Sequence, residues 1–313
     1  MDNSLILAVA ETTSTGGLLS GWMLVSLVTL FFWGMGQGLI KMFIGDASPA
    51  RFCLFFVIAK IMANTAYFMT HEHPNPFSQE GRTFMLVGIF AYILDGLGWL
   101  LYFQSIIYGP ITIVGTLSAA YPALTALWAK FFLGEQLIGV QYFGVFLVIS
   151  TCLGLSYSPA DPSEEEGKKV TNKWIPFAAF ALLFWSAAQT IMKYSYSLPN
   201  ASEANMVVFN SIGGSLTLGV YGLMYGLRGG IPSLMDVGKS FLPMGMMAIG
   251  DIGSMVAPSY PDAKIAIVSA LTGAYPVVTL GFGALVLKEK ITKVQWLLIF
   301  ILMIGVYLSS LTE

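Results

Sequence analysis

A chain of 313 residues has the length for two soluble domains, but 56% of its residues are hydrophobic and only 10% are charged; ordinary globular proteins are about a quarter charged. Mean hydropathy of +0.74 and a formal net charge of −2 exclude aqueous enzymes, disordered scaffolds and nucleic-acid binders, because no field of one sign draws in a polyanion. The composition describes an integral membrane protein whose partners are the lipid bilayer and a small molecule.

A helix needs about 20 mostly apolar residues to cross the bilayer core. Residues 1–20 read as an N-terminal tail, because the apolar run at 5–10 is too short for a span and has no basic stretch before it. Pro, Gly and charged punctuation then divides the chain into ten spans, at 21–43, 50–70, 84–106, 110–132, 138–157, 174–196, 204–226, 241–259, 264–287 and 294–311. Connections are short, so successive helices are antiparallel neighbours. The one polar linker, 158–173, carries Glu164, Glu165, Glu166, Lys168 and Lys169, and parts a five-span repeat at 21–157 from another at 174–313. Cys53 and Cys152 lie in apolar runs and form neither a disulfide framework nor a metal site. No resident cofactor is expected, although a coupling proton is compatible with the pattern. His71 and His73 are two apart rather than four, which is not a zinc-protease helix.

The two halves repeat each other. Trp33, Gln37 and Lys41 recur as Trp185, Gln189 and Lys193, at an offset of 152 residues. Ala120-Tyr121-Pro122 recurs as Ala274-Tyr275-Pro276, Glu135 as Glu289 and Gln141 as Gln295, all at 154. Five spans is an odd number, so the second copy is inserted upside down. Inverted repeats are a plan of secondary transporters, with the binding site near the midplane between the repeats.

Trp33-Gly34 with Lys41, Pro49 and Arg51, then Tyr121-Pro122 leading to Leu133-Gly134-Glu135, resembles an EamA-type domain; the second half repeats its close as Tyr275-Pro276 with Lys288-Glu289. From about Gly21 to Leu311 the chain is similar to the drug/metabolite transporter superfamily. The second half departs from the pattern, with Ser202-Glu203-Ala204 where Pro49 and Arg51 would recur. The resemblance implies an all-α membrane fold of ten helices in two inverted five-helix repeats, a transport activity without catalysis, and substrates ranging from amino acids and amines to nucleotide sugars.

An ionisable side chain at bilayer depth is costly and marks a functional site by default. Asp95, Asp251 and Lys60 fall near the middles of spans three, eight and two. A gap of about two residues brings the two aspartates to pseudo-equivalent points. They are the candidates for binding a proton or a substrate ammonium, and Asp251 shows no obvious basic partner; the structural alternative is that Lys60 pairs with Asp95 and locks two helices. Trp33 and Gln37 share one helix face, as do Trp185 and Gln189, and both faces are placed toward the interior. Asp95, Trp99 and Tyr102 form another stripe, whose aromatic faces suit an ammonium through cation–π attraction. Tyr121 and Tyr275 join the cavity, and Pro122 and Pro276 would kink matching helices as hinges. Lys41 and Lys193, near helix ends, are expected to snorkel to the interface.

Two acids against one base at that depth favour amino acids or related amines as cargo, moved by alternating access, over a nucleotide-sugar or sugar-phosphate exchanger, which needs more basic residues there. A passive channel shares the composition. An intramembrane aspartyl protease does not fit, because Pro122-Ala123-Leu124 lies between the two aspartates instead of after them. Ten Lys and Arg after odd-numbered spans against four after even ones put both termini outside by the positive-inside rule, whereas the resemblance implies cytoplasmic termini; in either case the termini share a side. The cell (inner) membrane is the expected location, with the chain a monomer or homodimer.

Overall fold

A computed structural model describes residues 20–43, 48–108, 114, 121–156, 173–228, 230, 232–288 and 292–311. Most of the expected tail and linker, residues 110–113 and 115–120 of the fourth span, and Glu289 lie outside the described residues. The chain is all-α, with no strand among the described residues. Its helices are α1 (Gly21–Phe43), α2 (Pro49–Thr70), α3 (Arg82–Tyr108), α4 (Tyr121–Trp128), α5 (Gly139–Ser156), α6 (Trp174–Ser195), α7 (Glu203–Tyr225), α8 (Leu234–Val256), α9 (Ile265–Gly273), α10 (Pro276–Leu285) and α11 (Lys293–Ser310).

Among the described residues, seven stretches are long and apolar enough to cross a membrane: α1, α2, α3, α6, α7, α8 with the turn after it, and α9 with α10 as one broken span. Apolar segments of α5 and α11 supply two shorter helices. The remaining span of the ten is described from Tyr121, through α4 and a π-type turn at Ala129–Leu133.

Local sequence sets where the helices start. Ser48 caps the N-terminus of α2 just before Pro49, and Ser202 accepts from the Asn205 amide at the start of α7. Ser233 with Asp236 and Thr292 with Gln295 form reciprocal capping boxes for α8 and α11. The box at Ser233 is why α8 begins seven residues before the expected start of the eighth span. Gly134, at φ 68°, ends the π-type turn in the left-handed conformation that glycine adopts without strain.

The halves interleave. The third helix of each half packs on the first helix of the other, α3 on α6 and α8 on α1, while the second helices α2 and α7 meet, as do the fifth, α5 and α11. The buried surface between the repeats is therefore made of cross-repeat pairs. Large apolar side chains on the outside, including Phe31, Phe90, Phe146, Phe180 and Phe300, are exposed, as a lipid-facing surface requires.

The side carrying the termini is sealed by polar groups. Glu135 accepts from the Ile265 and Ala266 amides at the start of α9, at 2.8 and 3.1 Å. Lys264 donates to the Gln136 carbonyl and to Gln141, and Gln141 donates in turn to the Leu311 carbonyl. Trp22 donates to Asp262 at 3.0 Å. Lys193 does not snorkel: its ammonium donates to the carbonyls of Pro258 and Tyr260 at 2.9 and 3.3 Å. Those carbonyls follow the end of α8, and the Tyr260 carbonyl also accepts from the Ala263 amide at 3.1 Å, so the ammonium is held in the turn instead of at the interface.

Pro276 also departs from the expected kink. The helix stops at Gly273 and restarts at Pro276, where the missing N–H costs nothing because first-turn amides are unpaired anyway. Pro122 stands second in α4, and its ring lies against Gly273, where a Cβ would approach the ring's Cγ to 2.6 Å. Pro243, in α8, does stand inside a helix.

Candidate functional site

The ionisable residues converge on one buried point. Lys60, on α2, is 1% exposed; its ammonium lies 2.9 Å from Asp251 Oδ2 on α8 and 3.4 Å from Asp95 Oδ2 on α3. The other oxygen of Asp251 accepts from Trp33 Nε1 on α1 at 2.9 Å. The Lys60 ammonium also lies 4.4 Å from the ring centroid of Phe56. Three helices of the first repeat and one of the second are tied together here.

Asp251 therefore has a basic partner. The sequence hid it because Lys60 is 191 positions away and reaches α8 only through the cross-repeat packing of α2. Lys60 serves both aspartates, so the expected pairing with Asp95 is one half of a three-membered cluster. With every member ionised, the cluster holds two negative charges against one positive. A buried carboxylate whose charge is not fully compensated is costly at this depth, and the excess negative charge makes the site attractive to a cation.

A cavity lies beside this cluster; with the open solvent at its mouth it amounts to some 410 Å3 of space not filled by protein atoms. It is lined by Trp33, Gln37, Asp95, Trp99, Tyr121, Trp185, Gln189, Met247 and Tyr275. Both repeats contribute the same tryptophan–glutamine–tyrosine set: Trp33, Gln37 and Tyr121 from the first, Trp185, Gln189 and Tyr275 from the second. Among the described residues that line the cavity, Asp95 is the charged one. Asp251 and Lys60 lie behind it, and so does Tyr102, whose hydroxyl donates to Gln37 Oε1 at 3.3 Å and holds that amide from the rear.

The aromatic wall is a contiguous stack. Trp99 and Trp185 meet edge to face at 4.9 Å between centroids, and Trp185 touches Tyr102 and Tyr121 at 5.5 and 6.2 Å. Across the cavity Trp33 meets Tyr275 at 6.4 Å. The Tyr121 hydroxyl shares a hydrogen bond of 3.3 Å with Thr272, close to the break between α9 and α10.

The two aspartates are not at equivalent points. Trp33 packs on Gly250, where a Cβ would sit 2.5 Å from its Cδ1, and Trp185 packs on Gly98, where a Cβ would sit 2.7 Å from its Cδ1. Each tryptophan and its glycine platform thus repeat at the same offset of 152, with no gap. Carried along the helices, that register sets Asp95 against Met247 and Trp99 against Asp251. The carboxylates are one helical turn apart in repeat coordinates and meet only because Lys60 reaches both. Met247, which sequence reasoning missed, is found by the same arithmetic: it is Asp95 displaced by 152.

An all-α bundle of two interleaved inverted repeats, enclosing a polar-and-aromatic cavity between them, defines the class of multi-pass membrane carriers. The chain belongs to the EamA-like transporter family, whose model matches residues 20–157 and 172–311. No curated protein matches it in sequence. A crystal structure of a protein 15% identical to it, covering 93% of this chain and 99% of the other, superposes with a TM-score of 0.68, a likeness of fold.

Proposed function

We propose that this EamA-like protein carries small amines or amino acids across a membrane by alternating access, with a proton as the coupling ion, and that the cell membrane is its location. The observation that carries this reading is the charge balance at the wall: two carboxylates share one ammonium, and Asp95 presents the unbalanced charge to the cavity. A substrate ammonium would neutralise it when the site is loaded, and a proton when it is empty. This exchange of one positive charge for another gives coupling without a nucleotide, a resident cofactor or any catalytic step. The aromatic faces of Trp99, Trp185 and Tyr121 supply cation–π attraction beside the carboxylate.

Several features favour a carrier over a passive channel. The terminal side is closed by Glu135, Lys264, Lys193 and Trp22, and the site is shared by both repeats, so rocking one repeat against the other would open it to alternate sides. Lys60, buried and held between two carboxylates, is poorly placed to meet a phosphate, which weighs against sugar phosphates and nucleotide sugars.

A thermal-shift screen of the detergent-solubilised protein tests the reading. A ligand that binds only the folded state, at a hundredfold excess over its Kd, stabilises by about 2.7 kcal/mol. Amines or amino acids should raise Tm, and phosphorylated compounds should not. A shift confined to the phosphorylated compounds would sink the reading. In liposomes, Asp95→Asn and Asp251→Asn should each change amine transport and its pH dependence; unchanged profiles would remove both residues from the site.

A further inference from the structure

The cavity wall includes a residue whose hydrogen-bond donor the protein leaves unused. Trp185 is 8% exposed, lines the cavity, and its Nε1 has no hydrogen-bond partner. Buried indole N–H groups normally find an acceptor, because leaving one unpaired costs about 1–3 kcal/mol. The repeat-related Trp33 does find one, in Asp251 Oδ1 at 2.9 Å.

The difference follows from the register. Trp33 sits on Gly250, and the next residue is Asp251. Trp185 sits on Gly98, and the next residue is Trp99. An indole has a donor and no acceptor, so at the position where one repeat offers a carboxylate the other offers an aromatic face. Trp99 meets Trp185 edge to face at 4.9 Å, a contact that orients the ring without satisfying its N–H.

The orphaned donor is close to the unbalanced charge. A Cβ on Gly98 would lie 2.8 Å from Trp185 Nε1, and Asp95 precedes Gly98 by three residues on α3. Three residues rise about 4.5 Å along a helix and share its face. A carboxylate and an N–H donor are thus offered within about one turn of each other, on an aromatic wall.

We propose that Trp185 Nε1 is the specificity-determining donor of the site. It hydrogen-bonds an oxygen that the substrate carries three bonds from its ammonium nitrogen, while Asp95 takes the ammonium. This rests on the amine reading above and narrows it: the substrate class is 1,2-amino alcohols and α-amino acids with an apolar or aromatic side chain, and bare amines are poor ligands. The shared chemistry is the acceptor oxygen, which is neutral in the alcohol and charged in the acid.

The test uses the full-length detergent-solubilised protein and three probes with one side chain: phenylalanine, phenylalaninol and phenethylamine, with Kd read by isothermal titration. The wild type should bind at least one of the oxygen-bearing probes about tenfold tighter than phenethylamine, the difference one hydrogen bond confers, and which probe gains identifies the oxygen. Trp185→Phe keeps a ring and removes the N–H; it should bring the favoured probe to the level of phenethylamine, costing that probe about tenfold more than it costs phenethylamine. Equal wild-type affinity for all three probes, or a Trp185→Phe loss of the same factor for all three, overturns the donor assignment and leaves the amine reading standing. Binding of none of the three overturns both. If Trp185→Phe does not fold, the wild-type ranking decides alone.

Discussion

The Trp33 region and the Trp185 region are two copies of one construction that ended in opposite states. Each tryptophan stands four residues before a glutamine and packs on a glycine of the third helix of the other repeat. In the first, the indole N–H is committed to Asp251, which Lys60 also holds. In the second, the same N–H is buried without a protein partner, on a ring that lines the cavity. A scaffold repeated with near symmetry thus yields one side whose indole donor is taken by a carboxylate and one side whose donor is left unpaired. Symmetry supplies the frame, and a single position, Asp251 in one copy and Trp99 in the other, decides which side does which.

The largest effect should come from the residue on which the side with the paired donor depends. Lys60→Met leaves two buried carboxylates without their ammonium, and breaking a buried ion pair from one end costs about 3–5 kcal/mol. Thermal unfolding in detergent should show a large fall in Tm, with Asp251→Asn in the same chain recovering part of it. If Lys60→Met kept wild-type stability, the cluster would not be that side's anchor.

The comparison itself is sharpened by removing the same N–H from each copy. Trp33→Phe strips Asp251 Oδ1 of its donor, and should cost about 1–3 kcal/mol, the penalty for an unsatisfied buried acceptor. Trp185→Phe removes a donor that has nothing to lose, so the ligand-free protein should be much less affected. Equal losses of stability would abolish the distinction between the two sides.

The glycine platforms should respond alike. Gly250→Ala and Gly98→Ala each force a methyl into an indole, an overpacking cost of about 1–3 kcal/mol. Their functional consequences should differ: Gly250→Ala disturbs the Asp251 contact, whereas Gly98→Ala pushes Trp185 toward the cavity and should weaken amine binding more. Binding measured on both variants at matched folded fraction checks this.

The smallest effect lies at the sealed side. Burial raises the Glu135 carboxyl above its ordinary range, opposed by the two α9 amides and by the charges of Lys193 and Lys264. A carboxyl raised on folding binds its proton more tightly in the folded state. Its contribution is fully present below the unfolded-state pKa and is lost as pH rises through the folded-state one. Glu135→Gln should flatten that part of the Tm-against-pH profile. An unchanged slope would assign it to other groups.

The membrane fold, the two repeats and most residues of the cavity wall, Met247 excepted, were legible in the sequence, because each rests on local or periodic information. Bilayer thickness fixes how long an apolar run must be. Helical spacing puts Trp33 with Gln37 and Trp185 with Gln189, and the recurrence of those pairs announces two copies. Capping boxes such as Ser233 with Asp236 are also local, and they explain why α8 starts earlier than hydropathy alone suggests. What tertiary structure alone decided was partnership across the repeats. Lys60 reaches Asp251 because the second helix of one half lies on the third helix of the other, and Lys193 is drawn from the interface by carbonyls that follow the end of α8. The register that parts Asp95 from Asp251 was set by which glycine each indole packs on. Periodicity says which face of a helix turns inward; only packing, where one residue must fill the space another leaves, says what that face meets.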